Sequence, residues 1–157
     1  MLVRQAGERD TAALTTLRRA WSEEEAGGPL DDADFDERFA QWCTAEAPRR
    51  TTFVAEIDGE AVGMVNLALF ERMPRPGRPA GRWAYLGNAF VLAAHRDRGI
   101  GTTLLDAAVA HARTRNCARV VLSPSERSVR FYQRAGFSPA TMLLARVLDA
   151  SDPEGEA

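Results

Sequence analysis

Two arginines and two glycines crowd the run Asn88-Ala89-Phe90-Val91-Leu92-Ala93-Ala94-His95-Arg96-Asp97-Arg98-Gly99-Ile100-Gly101-Thr102. An apolar, extended stretch ends there, a short turn follows, and a helical pattern begins among the glycines. The first turn of a helix offers unpaired N–H groups and the positive end of the helix dipole, which together attract an anion. Gly99 and Gly101 let a phosphate approach the main chain with no Cβ in the way, and Arg96 and Arg98 add positive charge. The spacing is neither a dinucleotide-binding fingerprint nor a Walker loop. A plainer reading of the same glycines is relief of a tight strand-to-helix turn.

Absent residue types remove other chemistries. All 20 basic residues are arginine. A phosphate-binding loop of the Walker kind and any Schiff-base mechanism need a lysine, so both are excluded. His95 and His111 are the only histidines, too few for a multi-histidine metal site, and no metal is expected. Cys43 and Cys117 make no disulfide framework and lack the close spacing of a metal knuckle, which favours reduced thiols in a cytoplasmic protein. A formal charge of −2 argues against broad nucleic-acid binding. The opening Met1-Leu2-Val3-Arg4-Gln5-Ala6 is not a signal peptide, and no run approaches the roughly 18 apolar residues of a membrane span.

At 157 residues, 45% hydrophobic and 27% charged, the composition is that of one globular domain. Leu2-Val3-Arg4 reads as a short strand. Asp10 can cap a helix whose buried face is Leu14, Leu17 and Trp21, closed by Gly27-Gly28-Pro29. Asp34, with Glu37 as a capping box, opens a second helix facing inward through Phe35, Phe39 and Trp42-Cys43. The strand Thr52–Ile57, the turn Asp58-Gly59 and the strand Ala61–Phe70 make a hairpin. A proline-rich loop, Met73–Gly81, leads to the strand Trp83–Leu92. Ile100, Leu104, Ala108 and Ala112 mark the buried stripe of a helix over Gly99–Asn116, and Arg119–Leu122 is a buried strand. Ser123-Pro124-Ser125-Glu126 has the signature of a helix start, the helix ending at Gly136, and Met142–Leu148 reads as a last strand. The order β-α-α-β-β-β-α-β-α-β implies an α/β domain of the α+β type over residues 1–148. Its single mixed sheet has an antiparallel first half and parallel neighbours near the end, with about four helices around it. Residues 149–157 read as an acidic frayed tail.

With these elements in place the chain resembles the GNAT superfamily of acetyl-CoA-dependent N-acyltransferases. The pyrophosphate loop of such proteins reads Arg/Gln-x-x-Gly-x-Gly/Ala, and Arg96-Asp97-Arg98-Gly99-Ile100-Gly101 fits every fixed position. A second landmark, Phe-Tyr followed by Gly-Phe, is matched by Phe131-Tyr132-Gln133-Arg134-Ala135-Gly136-Phe137. The resemblance covers the element order from Met1 to Leu148.

The resemblance implies a splay between the strand holding Trp83–Leu92 and the strand holding Arg119–Leu122, with pantetheine in the gap. Phe90, Val91 and Leu92 would then bond pantetheine through their main chain. Gly99, Ile100, Gly101 and Thr102 would give amides to the pyrophosphate, flanked by Arg96 and Arg98. Tyr132 stands at the family's acid position. A phenol of pKa about 10 can protonate a departing thiolate whose conjugate acid sits near about 8.5. Two features depart from the pattern. The asparagine that often begins the last helix is Ser125 here, with Ser128 three further on, either able to cap or touch the cofactor. The strand Trp83–Leu92 also lacks the acidic base found in many members; Asn88 could at most orient a water, Glu56, Glu60 or a residue of the Glu23-Glu24-Glu25 run could serve instead, or the amine arrives already deprotonated, and the base is unassigned. His95 at this position reads as a surface residue, and His111 falls on the exposed face of its helix by spacing.

Acetyl-CoA as co-substrate and an amine acceptor follow from the resemblance, as does pairing into homodimers through an interface the chain does not identify. Residues 23–37 hold eight acids and no base, either a solvated helix surface or a rim attracting a cationic amine. Arg72, Arg75, Arg78 and Arg82 pull the other way, toward an anionic acceptor or simply a soluble loop. The implied activity is acetyl transfer to a primary amine by direct attack. The alternatives are a non-catalytic acyl-CoA-binding or regulatory module and a domain that takes another nucleotide at the same loop.

Overall fold

The structure is a computed structural model that describes residues 1–146 and Leu148. Five strands run in the order of the chain across one sheet: β1 (Leu2–Gln5), β2 (Arg50–Ile57), β3 (Glu60–Glu71), β4 (Arg82–Val91) and β5 (Cys117–Val121). The first four pair antiparallel, and β4 pairs with β5 in parallel. The Asp58-Gly59 turn takes φ of 52° and 85°, the left-handed pair that matches strand twist in a two-residue hairpin.

The helices sort onto the two faces by their apolar stripes. On one side α3 (Ile100–Thr114) buries Ile100, Leu104, Ala108 and Ala112 against the sheet, the stripe read from the sequence. On the other, α1 (Thr11–Ala26) sets Leu14 and Leu17 on Met64 and Phe90, while Trp21 stacks on Phe90 at 5.8 Å between ring centres. Covered on both faces, β3 is buried without interruption from Val62 to Ala68, as a central strand between two helical layers must be. The second helix, α2 (Phe35–Glu46), lies beside α1 and buries no large apolar side chain fully. No helix among the described residues is long and apolar enough to cross a membrane.

Helix ends differ in detail from the sequence reading. Gly27, at φ 73°, ends α1 as expected, with the Gly28 N–H donating to the Glu23 carbonyl at 3.0 Å. Asp10 precedes α1, but its carboxylate makes no cap; it binds Arg4 and accepts the Gly7 N–H at 2.7 Å. The Ser123-Pro124-Ser125-Glu126 signature does not start a helix. The Ser128 hydroxyl donates to the Ser125 carbonyl at 3.0 Å and accepts from the Ser125 hydroxyl, closing a local turn that competes with helical pairing. The last helix, α4, is therefore only Val129–Arg134.

The expected strand Met142–Leu148 is also corrected. Its described residues, 142–146 and Leu148, form no strand, and a turn bonded from the Leu143 N–H to the Ala140 carbonyl directs the chain away from pairing. Val147 and the proposed tail over 149–157 lie outside the described residues.

Candidate functional site

The pairing of β4 creates the site. Its partners on β5 are Cys117, Val120 and Val121, reached from Arg82, Ala84 and Tyr85, so β4 from Leu86 to Val91 has no neighbour on that edge. On its other edge the register to β3 slips: Asn66 faces Gly87, but Met64 already faces Phe90. The extra residue is absorbed at Asn88, whose φ of 53° marks a bulge that turns the strand. Gly63 makes room beneath it. A Cβ there would stand 3.0 Å from the Phe90 carbonyl oxygen and 3.2 Å from a Leu104 methyl.

Alongside the open edge lies a cleft of about 500 Å³ between β4, the start of α3, and α4. Phe90, Val91, Arg96, Gly99, Ile100, Gly101, Thr102, Ser128 and Tyr132 line it together. Gly99 takes φ 78° and carries no capping side chain, and the first bond of α3 runs from the Thr103 N–H to the Gly99 carbonyl at 3.0 Å. The amides ahead of Thr103 thus lack intrahelical partners and form a cradle for an anion. A Cβ on Gly101 would meet Phe131 at 3.4 Å, ordinary contact, so the protein alone tolerates it.

Three expected residues stand elsewhere. Arg98 is exposed and Ser125 is engaged with Ser128, both outside the lining. The Leu92 N–H donates to the Val62 carbonyl at 2.9 Å and its carbonyl accepts the His95 N–H at 2.8 Å, which leaves only the carbonyl's second lone pair to meet a ligand. By strand alternation the groups of Val91 face the open edge, though the Val91 carbonyl already accepts Arg96 Nε at 2.8 Å. Arg96 is a strut rather than a loose cation. Its two terminal nitrogens grip Glu24 at 2.8 and 2.6 Å, tying the end of α1 to the loop, and this pairing holds the Glu24 carboxyl below its usual range.

Tyr132 sits edge-on to Phe131 and Phe137, with ring centres 5.0 and 5.8 Å away. The Phe-Tyr and Gly-Phe motif explains itself locally. Gly136, at φ 88°, ends α4 and lets the Phe137 N–H bond back to the Tyr132 carbonyl at 3.1 Å. Burial, and secondarily the nearness of Tyr85, pushes the Tyr132 phenol up, so it stays protonated and able to donate.

Both histidines are half-buried. His95 is half-buried in the wall of this cleft, with Nδ1 buried and unpartnered. Instead of facing solvent, His111 packs edge-on against Phe53 and lies 3.2 Å from the Thr51 hydroxyl; burial lowers its pKa. A four-residue helical spacing cannot distinguish the centre of the buried stripe from its flank.

A second cleft, about 370 Å³, opens on the other side of β4 beneath α1 and α2. Met64 lines both clefts. Here the wall is Phe35, Phe39, Trp42 and Tyr85, with Arg18, Arg50, Asn66 and Asn88 among the polar groups. Arg50 is held in place: Nε donates to Glu46 at 2.6 Å, Nη1 to Asn66 Oδ1 at 3.0 Å, and its plane lies over Trp42 at 5.2 Å. Arg49 and then Arg50 hold the Glu46 carboxyl down at about 2. None of the eight acids of residues 23–37 lines this cleft. Three of them are paired, Asp32 with Arg38, Asp36 with Arg19 and Glu24 with Arg96. The 72–82 arginine series does not line it either; Arg82 pairs with Glu71 at 3.2 Å. Cys43, a lining thiol, is pushed up by burial. Among the described residues no cluster of side chains could hold a metal ion.

Comparison with known proteins agrees with this geometry. A glucosamine 6-phosphate N-acetyltransferase of Trypanosoma brucei brucei is 29% identical over 98 residues, 59% of this chain and 65% of that protein. A Clostridium acetobutylicum structure, described as a predicted acetyltransferase with acetyl-CoA, superposes with a TM-score of 0.75 at 22% identity, covering 94% of this chain and 96% of that one. A GCN5-related N-acetyltransferase from Ralstonia eutropha JMP134 gives 0.70 at 27% identity, covering 93% and 97%. The family model described as Acetyltransferase (GNAT) family matches residues 14–137, and with most of its length so matched the chain belongs to that family.

Proposed function

We propose that the protein transfers acetyl from acetyl-CoA to a primary amine by direct attack, with Tyr132 as general acid. The observation that carries this reading is the meeting of two clefts at the unpaired stretch of β4, one with an anion cradle and a buried phenol. The amides of residues 100–102 take the pyrophosphate. The open edge around Val91 takes the pantetheine, which acts as the missing strand beside β4. The amine comes from the cleft under α1 and α2. Its nitrogen lone pair forms a bond to the thioester carbon, the C–S bond breaks, and the electron pair leaves on sulfur. Tyr132 donates its hydroxyl proton to that sulfur, the nitrogen gives its own proton to water, and solvent returns a proton to the Tyr132 oxygen.

The acceptor cleft holds no carboxylate and no histidine among the described residues, and its thiol is pushed up. The amine therefore enters deprotonated, and kcat/KM at low acceptor rises with pH until the amine itself is neutral. The test is kinetic. Tyr132→Phe should lower kcat by about 10²–10⁴-fold while leaving the CoA dissociation constant unchanged, read by thiol release and by calorimetry. Unchanged turnover in this variant removes Tyr132 from the chemistry. Tight CoA binding with no turnover for any amine would instead identify a non-catalytic module.

A further inference from the structure

We propose that the acceptor is a primary amine borne on an aromatic body, which packs against Phe35, Phe39 and Trp42 of α2 while its nitrogen reaches β4. The inference rests on the acetyl-transfer reading above and names its substrate class. Its basis is an apolar helix face that the protein itself leaves unfilled. Phe35, Phe39 and Trp42 recur at i, i+4 and i+7 on α2 and line the cleft of about 370 Å³. The only buried residue of α2 is Glu46, and Trp42 is 40% exposed. Ring surface therefore fronts the cleft, where a helix of this pattern ordinarily buries it in the core. An occupant that covers these rings gains the apolar burial that folding did not take.

The charged groups of the cleft make no demand on the ligand. Arg50 is paired with Glu46, donates to Asn66 and lies over Trp42, and Arg18 lies over Trp21 at 4.7 Å. Recognition thus falls to the body of the acceptor rather than to a counter-charge. The rings are tilted, by 40° between Phe35 and Phe39 and by 31° between Phe39 and Trp42, with centres 5.7 and 5.9 Å apart. Such a wall offers ring faces and ring edges together, which a planar aromatic group matches by offset stacking or edge contact. On β4 the lining changes character, to the Tyr85 hydroxyl and the Asn88 amide at the bulge, and either can accept an amine N–H. Met64 lines this cleft and the cofactor cleft alike, so β4 is the end at which a nitrogen meets the thioester. A ligand that answers both ends carries an aromatic ring at one and a single amine at the other.

The experiment uses the full-length protein with acetyl-CoA and compares phenethylamine with 2-cyclohexylethylamine, which has similar bulk but no aromatic face, and with n-propylamine, which has no ring. Spermidine and glucosamine 6-phosphate stand for the polycationic and anionic classes, and all rates are referred to the free base. Phenethylamine should exceed n-propylamine in kcat/KM by about tenfold or more, and 2-cyclohexylethylamine by about two- to tenfold. Phe39→Leu keeps an apolar side chain and should remove most of the second preference through KM, with kcat little changed and CoA affinity intact. Because Phe39 also packs on the core beside Leu14, a binding signal is read independently of it. Of Trp21, Trp42 and Trp83 only Trp42 lines the cleft, so phenethylamine titrated into the CoA-bound protein should change tryptophan emission, and Trp42→Phe should abolish the change. Equal or faster transfer to any of the other amines, or an emission change that survives Trp42→Phe, overturns the aromatic class and leaves the acetyl-transfer reading standing. No transfer to any amine, with CoA bound, overturns both.

Discussion

Asp10 illustrates how a single side chain can serve a junction rather than the helix beside it. It is 7% exposed, and its oxygens accept from Arg4 at 2.7 and 2.8 Å and from the Gly7 N–H. Arg4 also grips Glu56, so β1, β2 and the start of α1 are locked at one guanidinium. Pairing with Arg4 lowers the Asp10 carboxyl to about 2, well below its value in an unfolded chain. The proton is bound more readily by the unfolded state, so this contribution is complete above roughly pH 4 and disappears as pH falls through about 2. Glu46, also held at about 2, acts in the same direction. In thermal melts at stepped pH, Asp10→Asn should lower Tm by about 5 °C at pH 6, and the two proteins should converge below about pH 2. Parallel curves down to the lowest pH would contradict the assignment.

Elements were legible where a period or a local turn rule decides the conformation. The stripe of α3, the Asp58-Gly59 hairpin and the Gly27 stop all depend on neighbours within a few residues. What stayed hidden depends on long-range pairing. The bulge at Asn88 exists only because β3 and β4 slip against each other, and nothing in Leu86-Gly87-Asn88-Ala89 announces it. Likewise the second cleft gathers Arg18, Trp42, Arg50 and Tyr85 from four separate elements, and no spacing rule could join them. At α4 a good cap signature lost to serine hydroxyls bonding within their own turn. Gly63 belongs to the same class of hidden residue, since its need for no side chain comes from β4 and α3 pressing on it. Gly63→Ala must push against the Phe90 carbonyl and Val91, and should cost about 1–3 kcal/mol in urea unfolding. It should also weaken CoA binding by moving the bulge. A change under about 0.5 kcal/mol would mean that β4 yields freely there.

Across the whole molecule, one sheet divides two clefts and lets them communicate at a single place. The strand order keeps β3 central and buried, so β4 is held firmly on one edge and released on the other. Rigid support on the β3 side is what leaves β4 from Leu86 to Val91 without a strand neighbour on its other edge. The Glu24–Arg96 pair then bridges the end of α1 to the loop before α3, tying the roof of the second cleft to the first. The motif residues announced the cradle and the phenol, while the second cleft emerged only from the folded chain. At 17.2 kDa the protein is small enough for amide-resolved NMR titration with CoA. The account predicts that the largest shifts fall on the amides of Gly99–Thr102 and on Val91, with β1 and β2 unmoved. Shifts that bypass residues 99–102 altogether would contradict it.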